Sequence, residues 1–495
     1  MFLLVIQALF IIYVVKSGST FSTNLSRIMS AISLIVTLYI ISKRDKGAYK
    51  LTWVFIILLF PVFGGLFYLI FNFQSSSKKF KKNISKVEEK ARHLYGLPAI
   101  DYDNVKKEIP EFMPQVHYLQ EFGGFPIYNR SSSKYLSPGE MKFEYLMLEL
   151  EKAEKYIFLE YFIIQEGKMW DSILEILKRK AKQGVIVRII YDDMGCFLLL
   201  PKLYPKELKK FGIECVVFNR FRPFLSAVQN NRDHRKIVSI DGKVAFTGGI
   251  NLADEYINAI DKHGHWKDAS IRIKGSAAWS FTLMFLQMWE ICTGIDEDYY
   301  SYYPWKHEPC PKISNGFVQP YADSPMDDDN VGEHVYLQII NNAKKYVYIN
   351  TPYLIIDDSM ISALCLAAKS GVDVRIVTPY RGDRWFVHMT TRSYYRELIK
   401  AGVKIYEYSD GFIHSKVFVS DDTTATVGTT NLDFRSLYLN FECGVRLYNS
   451  STVLAIKEDF EKTLRHCHQI KLEDCKSSIF MRLFQDIMRV FAPLM

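Results

Sequence analysis

An internal duplication constrains this chain more than any other feature. Ala153-Glu-Lys-Tyr-Ile-Phe-Leu-Glu-Tyr161 resembles Ala343-Lys-Lys-Tyr-Val-Tyr-Ile-Asn-Thr-Pro-Tyr353, and each segment has the composition of a short strand. A helical pattern follows in each case, Met169 to Lys182 and Ser359 to Lys369, and stops before Gly184 or Gly371. Two matching strands come next, Val185 to Ile190 and Val372 to Val377. Each copy closes with a helix and another strand, Cys215 to Phe218 and Val403 to Tyr406. A repeat of this size must build the same layered unit twice, and strands alternating with helices predict α/β halves.

The duplication extends to chemistry. His234-Arg-Lys236-Ile-Val-Ser-Ile-Asp241 matches His414-Ser-Lys416-Val-Phe-Val-Ser-Asp421, so H-x-K-x4-D occurs twice. Thr247-Gly-Gly-Ile-Asn251 begins 13 residues after His234, and Val427-Gly-Thr-Thr-Asn431 begins 13 after His414. Later, Trp266-Lys-Asp268-Ala-Ser-Ile-Arg272 aligns with Asn440-Phe-Glu442-Cys-Gly-Val-Arg446. A single His-x-Lys is usually surface decoration; two copies at corresponding places of a repeat are not.

Two histidines, two lysines and two asparagines suit a phosphodiester. One neutral imidazole attacks phosphorus, and the other, protonated, serves the leaving oxygen. On a strand, positions i and i+2 share a face, so His234 and Lys236 point together, as do His414 and Lys416. Asn251 and Asn431 offer amide donors. The glycine turns that carry them look like helix openings, whose free N–H groups favour phosphate. Asp241 and Asp421 lie an odd number of residues from their histidines and face the other way, which predicts structural support. Asp268 and Glu442, on the following strand, are expected to orient His234 and His414 through Nδ1. Asp261, His263, His265 and Asp268 also have the composition of a metal site, but the second copy has no counterpart cluster.

The first hundred residues have a different character. Apolar stretches run from Phe2 to Val15, Leu25 to Ile41 and Leu51 to Phe73. A bilayer needs about 20 apolar residues. The third stretch is long enough, although Pro61, Gly64 and Gly65 interrupt it and leave a kink or re-entrant hairpin open. If all three cross, Lys16 and Arg27 share a side with the run from Lys78 to Arg92, opposite Lys43, Arg44, Lys46 and Lys50. The richer side is then cytoplasmic and carries residues 93–495. Eight cysteines without CxxC spacing fit a reducing compartment. The net charge of +8 suits anionic lipid, phosphate or nucleic acid alike.

With these residues in view, the chain resembles the phospholipase D superfamily, and within it the bacterial cardiolipin synthases. The likeness is carried by both H-x-K-x4-D motifs, Gly248-Gly-Ile-Asn-Leu-Ala-Asp-Glu-Tyr256, His265-Trp-Lys-Asp268, Gly411-Phe-Ile-His-Ser-Lys416 and Asn431-Leu-Asp-Phe-Arg-Ser436. The resemblance implies two phospholipase D-like α/β/α sandwich halves behind an N-terminal transmembrane region. It implies transfer of a phosphatidyl group between two phosphatidylglycerol molecules, giving cardiolipin and glycerol through a phosphohistidine. His234 is then the nucleophile and His414 the acid, a distinction the residues themselves do not make. The resemblance also places Asp241 and Asp421 in the active site and implies no metal and no organic cofactor. The expected partners are membrane phospholipids and not nucleic acid; the sequence says nothing of oligomeric state. The alternative is a hydrolase or nuclease on the same scaffold.

The expected organisation is a membrane anchor over 1–73, a basic juxtamembrane linker over 74–114 and a first half over 115–295. A linker over 296–330, a second half over 331–470 and a C-terminal amphipathic helix over 471–495 complete it. In that last segment Phe480, Phe484, Ile487 and Phe491 share one helical face, with Arg482, Gln485 and Arg489 opposite. It lies on the membrane or packs on the domain. The aromatic helix from Ala277 to Thr293 is read as core.

Overall fold

The computed structural model describes residues 16, 20–43, 46–72, 75–98, 102–221, 227–327 and 329–494. The apolar stretch from Phe2 to Val15 lies outside them. Two sheets built to one plan form the body. In the first half the strands are β1 (Ser131–Leu136), β2 (Tyr156–Tyr161), β3 (Ile186–Asp192), β4 (Glu214–Phe218), β5 (Arg232–Asp233), β6 (Lys236–Ile240), β7 (Val244–Gly248), β8 (His265–Lys267) and β9 (Ser270–Gly275). The second has β10 (Phe317–Asp323), β11 (Tyr346–Asn350), β12 (Asp373–Pro379), β13 (Lys404–Tyr408), β14 (Gly411–Ile413), β15 (Val417–Ser420), β16 (Thr424–Gly428), β17 (Asn440–Tyr448) and β18 (Cys467–Ile470). The sheet orders are β1-β9-β7-β6-β2-β3-β4 and β10-β17-β16-β15-β11-β12-β13-β18. Strand for strand they match, with β18 added at one edge. This is the repeated α/β architecture expected from the sequence.

The helices from the N-terminus are α1 (Thr20–Ser42), α2 (Gly47–Leu59), α3 (Gly64–Asn72) and α4 (Ser75–Tyr95). The body adds α5 (Gly139–Leu150), α6 (Lys168–Lys182), α7 (Ala278–Thr293), α8 (Val331–Asn342), α9 (Asp358–Lys369), α10 (Trp385–Lys400), α11 (Phe434–Tyr438), α12 (Ser451–Leu464) and α13 (Ile479–Phe491). Met169, Trp170, Ile173, Ile176 and Leu177 give α6 one apolar stripe, buried against Leu159 and Ile189 of the first sheet. Ile361, Leu364 and Ala367 of α9 do the same for Ile349 and Ile376 of the second. Between the halves, Ile237, Ala245, Ile271 and Ile273 meet Val417, Val419, Ala425, Val427 and Val445 in a shared core. So β6, β7 and β9 face β15, β16 and β17, and the motif strands of both halves meet at the centre. Helix α7 is core, as expected: Trp279, Phe281 and Phe285 are fully buried.

The N-terminal region departs from three straight spans. Thr23–Ser42 is long and apolar enough to cross a membrane. Leu34, Ile35, Leu38 and Ile41 stand exposed along it. The third apolar stretch is instead broken between Leu59 and Gly64 into α2, of 13 residues, and α3, of 9. At 1.5 Å per residue these are roughly 20 and 14 Å long, short of the ~30 Å hydrocarbon core. The pair forms a hairpin, with Trp53 edge-on to Tyr68 at 5.0 Å. Glycine is required where it closes. A Cβ on Gly64 would lie 2.8 Å from Ile57 Cα, and one on Gly65 would lie 2.6 Å from Ser33 Cα of α1.

Lys46, which leads into α2, reaches Glu333 Oε2 at 2.8 Å and Asp357 Oδ2 at 3.3 Å in the second half. Lys46 thus ties the start of α2 to the second half. The basic segment that follows is the helix α4. Lys78, Lys79, Lys81, Lys82 and Lys86 are exposed, whereas Ala91, Leu94 and Tyr95 are buried and Lys90 Nζ donates to Glu290 Oε2 at 2.8 Å. Replacing Gly65 by valine drives a branched side chain into α1. The expected loss is about 1–3 kcal/mol, read as a lowered melting temperature in detergent, while Gly47→Ala, whose Cβ meets nothing within 4 Å, leaves it unchanged.

Candidate active site

Each motif histidine is positioned by a strand of the opposite half. Arg232 and Asp233 pair in parallel with Asn440 and Phe441 of β17, and the His234 N–H donates to Phe441 O at 3.0 Å. Gly411, Phe412 and Ile413 pair with His265, Trp266 and Lys267 of β8, and the His414 N–H donates to Lys267 O at 2.7 Å. The carboxylates cross over in the same way. His234 Nδ1 lies 2.9 Å from Glu442 Oε1, and His414 Nδ1 lies 2.7 Å from Asp268 Oδ2. Sequence order suggested a carboxylate from the same half for each histidine; the fold exchanges them. Asp268 and Glu442 are wholly buried, and the histidines are 8% and 7% exposed. With Nδ1–H donated to a carboxylate, each imidazole keeps Nε2 for chemistry.

The lysines stay beside their histidines. Lys236 Nζ donates to His234 O at 2.6 Å, and Lys416 Nζ donates to His414 O while lying 3.1 Å from that ring's Nε2. Phe162 stands edge-on to the His234 ring at 5.1 Å, and Tyr256 and Trp266 flank His414 at 5.5 and 5.4 Å. These walls exclude water and strengthen every charge inside.

Burial, then Lys236 and Lys416, hold the His234 imidazole well below the usual histidine range. His414 is lowered by burial, by Lys416 and Lys236, and by His234 itself. Burial brings Lys236 down to about 8 and Lys416 to about 7. It raises Asp268 to about 7 and Glu442 to about 8. Acids and bases that began far apart thus converge near neutrality, which suits proton transfer between them.

The motif aspartates lie elsewhere. Asp241 accepts from the backbone N–H groups of Glu154, Lys155 and Tyr156, each at 2.8 Å. Asp421 does the same for Lys344, Lys345 and Tyr346 at 2.6–2.9 Å. Both sit at positive φ in the turn after the motif strand and tie it to the start of β2 or β11. Both thus brace the motif strands, as their facing predicts, and no hydrogen bond joins them to either histidine among the described residues.

The asparagines differ from each other. Asn251 Nδ2 donates to Tyr256 OH at 2.7 Å and its Oδ1 accepts from Ile163 N at 3.1 Å. Asn431 Oδ1 is buried without a hydrogen-bond partner among the described residues. The expected helix openings are single turns, Asp254–Ile257 and α11, and Asp433 already caps α11 by accepting from Ser436 N. The Asp261–Asp268 cluster disperses: Asp268 turns to His414 and His265 Nδ1 to Tyr408 OH at 2.9 Å.

Sequence reasoning missed three residues around the cleft. Thr429 donates its hydroxyl to Glu442 Oε2. Tyr353 OH donates to Asp383 Oδ2 at 2.7 Å, and the Asp383 charge reaches His414. Asp433 acts on His234 from the second half. Thr429 and Asp433 flank Asn431, so their nearness to it was the available signal; nothing local marks Asp383.

The family described as "Cardiolipin synthase, PLD-like domain" matches residues 146–265 and 336–464, one match on each half. The chain belongs to the phospholipase D-like cardiolipin synthase family. A second family, "Phospholipase D-nuclease N-terminal", matches residues 31–71, from α1 to α3. The cardiolipin synthase of Alkalihalophilus pseudofirmus is 36% identical over 482 residues, covering 95% of this chain and 94% of its own. That of Geobacillus kaustophilus is 35% identical over 475 residues, covering 95% and 93%. An uncharacterised protein of Streptococcus mutans is 43% identical over 465 residues, covering 92% and 99%. Among solved structures, the phosphatidylserine synthase of Haemophilus influenzae superposes with a TM-score of 0.57 at 14% identity, over 76% of this chain and 97% of that one, and shares the fold.

The two carboxylate pairs should separate by substitution. Asp268→Asn and Glu442→Gln are expected to lower kcat by about 10²-fold or more with little change in melting temperature. Asp241→Ala and Asp421→Ala should instead lower stability by about 1.5–3 kcal/mol, the worth of hydrogen bonds to a charged group, as measured by thermal unfolding beside the turnover assay.

Proposed function

We propose that this chain makes cardiolipin at a membrane by transferring a phosphatidyl group from one phosphatidylglycerol to another. The observation that carries the reading is the pair of buried imidazoles, each held at Nδ1 by a carboxylate of the opposite half. In the first step Nε2 of His234 attacks the phosphorus of one phosphatidylglycerol. The bond from phosphorus to the glycerol oxygen breaks, and that oxygen takes a proton from Nε2 of His414. In the second step a free hydroxyl of another phosphatidylglycerol returns a proton to His414 and attacks the phosphohistidine. Cardiolipin leaves, and His234 is regenerated. Lys236, Lys416 and the amide of Asn431 offset the charge on the phosphoryl oxygens. The assignment of nucleophile to His234 and acid to His414 comes from the family.

Membrane association is common to the family and to the apolar α1. We read α1 as the described crossing and α2–α3 as a re-entrant hairpin. Basic residues at 43–50 and 78–92 then flank the body on one side, and their excess makes that side cytoplasmic.

Purified full-length protein given phosphatidylglycerol alone should release glycerol and form cardiolipin in equal amounts. Phosphatidic acid as the sole product would replace transfer by hydrolysis. His234→Ala and His414→Ala should each lower turnover by at least about 10³-fold; wild-type rates in both would overturn the mechanism. For topology, a membrane-impermeant amine reagent should modify Lys50 and Lys78 in inverted vesicles only. Modification of Lys50 in right-side-out vesicles would restore three crossings.

A further inference from the structure

A second candidate site lies outside the histidine cleft, on the outer layer of the second half. Helices α9, α10 and α13, with the Asp474–Ser477 turn, enclose a groove of about 790 Å³. Its charge is unbalanced. Arg392 is paired with Glu407 at 2.6 Å and Arg489 with Glu397 at 3.4 Å. Lys369, Arg396, Lys400, Lys476 and Arg482 line the same groove without an ion-pair partner among the described residues, facing only the carboxylates of Asp474 and Asp486. Five free cations against two carboxylates, in a concave space of this size, call for a polyanionic ligand.

The surroundings say which one. Helix α13 turns Arg482, Gln485 and Arg489 into the groove and leaves Ile479, Phe480 and Leu483 on its other face, 82%, 85% and 58% exposed. A helix with one cationic face and one bare apolar face lies in a membrane interface. Its position agrees: Phe491 stands edge-on to Phe55 of the hairpin at 5.5 Å, and Thr52 Oγ1 donates to Val490 O at 2.6 Å. Midway along α13, Phe484 packs on Trp385 of α10 at 5.5 Å, and Trp385 is itself 63% exposed. The groove is thus walled by a helix that is continuous with the membrane hairpin.

We propose that this groove binds the phosphate-bearing headgroup of an anionic phospholipid of the bilayer, at a site separate from the two histidines. None of the His-Lys motif residues lines it, so headgroup binding and turnover are separable. The apolar face of α13 takes up the acyl chains alongside, and the cations behind it hold the phosphate. Such a site fastens the second half to an anionic leaflet beside the hairpin.

Cys365 and Cys475 line the groove and report on it directly. Full-length protein in uncharged detergent is treated with iodoacetamide, and alkylation of each cysteine is followed by peptide mass spectrometry. Phosphatidylserine is expected to slow alkylation of Cys365 and Cys475 at least threefold without affecting Cys310. Phosphatidylcholine and inorganic phosphate should have no such effect. Lys369→Gln/Arg396→Gln/Lys400→Gln should need at least ten times more phosphatidylserine for the same protection. Equal protection by phosphatidylcholine would reduce the effect to a lipid coat, and protection by phosphate to a free-anion site. Either result overturns the proposal, as does absence of protection or an unaltered triple variant. The three wild-type arms decide the matter even if that variant fails to fold. No arm requires turnover, so failure here is distinct from failure to make cardiolipin.

Discussion

Two hydrogen bonds that cross between the halves, His234 to Glu442 and His414 to Asp268, are the constraint on which the rest of the structure depends. A buried carboxylate is costly unless paired, and a buried imidazole needs its tautomer set from outside. Each half supplies what the other lacks, so neither half alone completes a reactive histidine. The short parallel pairings of β5 with β17 and β8 with β14 serve the same end, fixing the backbone of each motif to the other half. The apolar core between the two sheets then holds those pairings in register.

This arrangement also accounts for the acid–base balance of the cleft. Burial pushes the lysines down and the carboxylates up, so Lys236, Lys416, Asp268 and Glu442 end near neutrality, while the two imidazoles are held well below their usual range. The result is two lysines and two carboxylates matched closely enough to exchange a proton at small cost, beside imidazoles that burial keeps neutral. The lysines do not bridge the halves; each returns to the carbonyl of its own histidine. The cleft is therefore organised by carboxylates and walled by Phe162, Tyr256 and Trp266.

Legibility in the sequence followed the range of the interaction. The strand and helix patterns of both copies were readable because periodicity is local, and their correspondence predicted matching sheets. Alternation along a strand placed Asp241 and Asp421 away from the histidines, and their backbone hydrogen bonds show why a carboxylate stands there. The turns after Gly248 and Gly428 misled: they open into single helical turns, and Asp433 already occupies the cap of α11. The third apolar stretch was legible as apolar, and Pro61, Gly64 and Gly65 left a hairpin open; what closes it is the packing of Gly64 and Gly65 against Ile57 and Ser33. Its attachment to the body depends in turn on Lys46 meeting Glu333 and Asp357, about three hundred residues away.

What the sequence determined by itself was the inventory and its symmetry: two copies of one α/β unit, each with a histidine and lysine on one strand face and a later carboxylate. These follow from spacing, which a linear chain records. Only the tertiary structure decided which carboxylate serves which histidine, that the Asp383 charge reaches His414, and that Lys46 meets Glu333 and Asp357. Those outcomes rest on contacts between segments far apart in the chain. Close packing of two nearly identical sheets selects them, and no local pattern encodes which of two equivalent partners a side chain will meet.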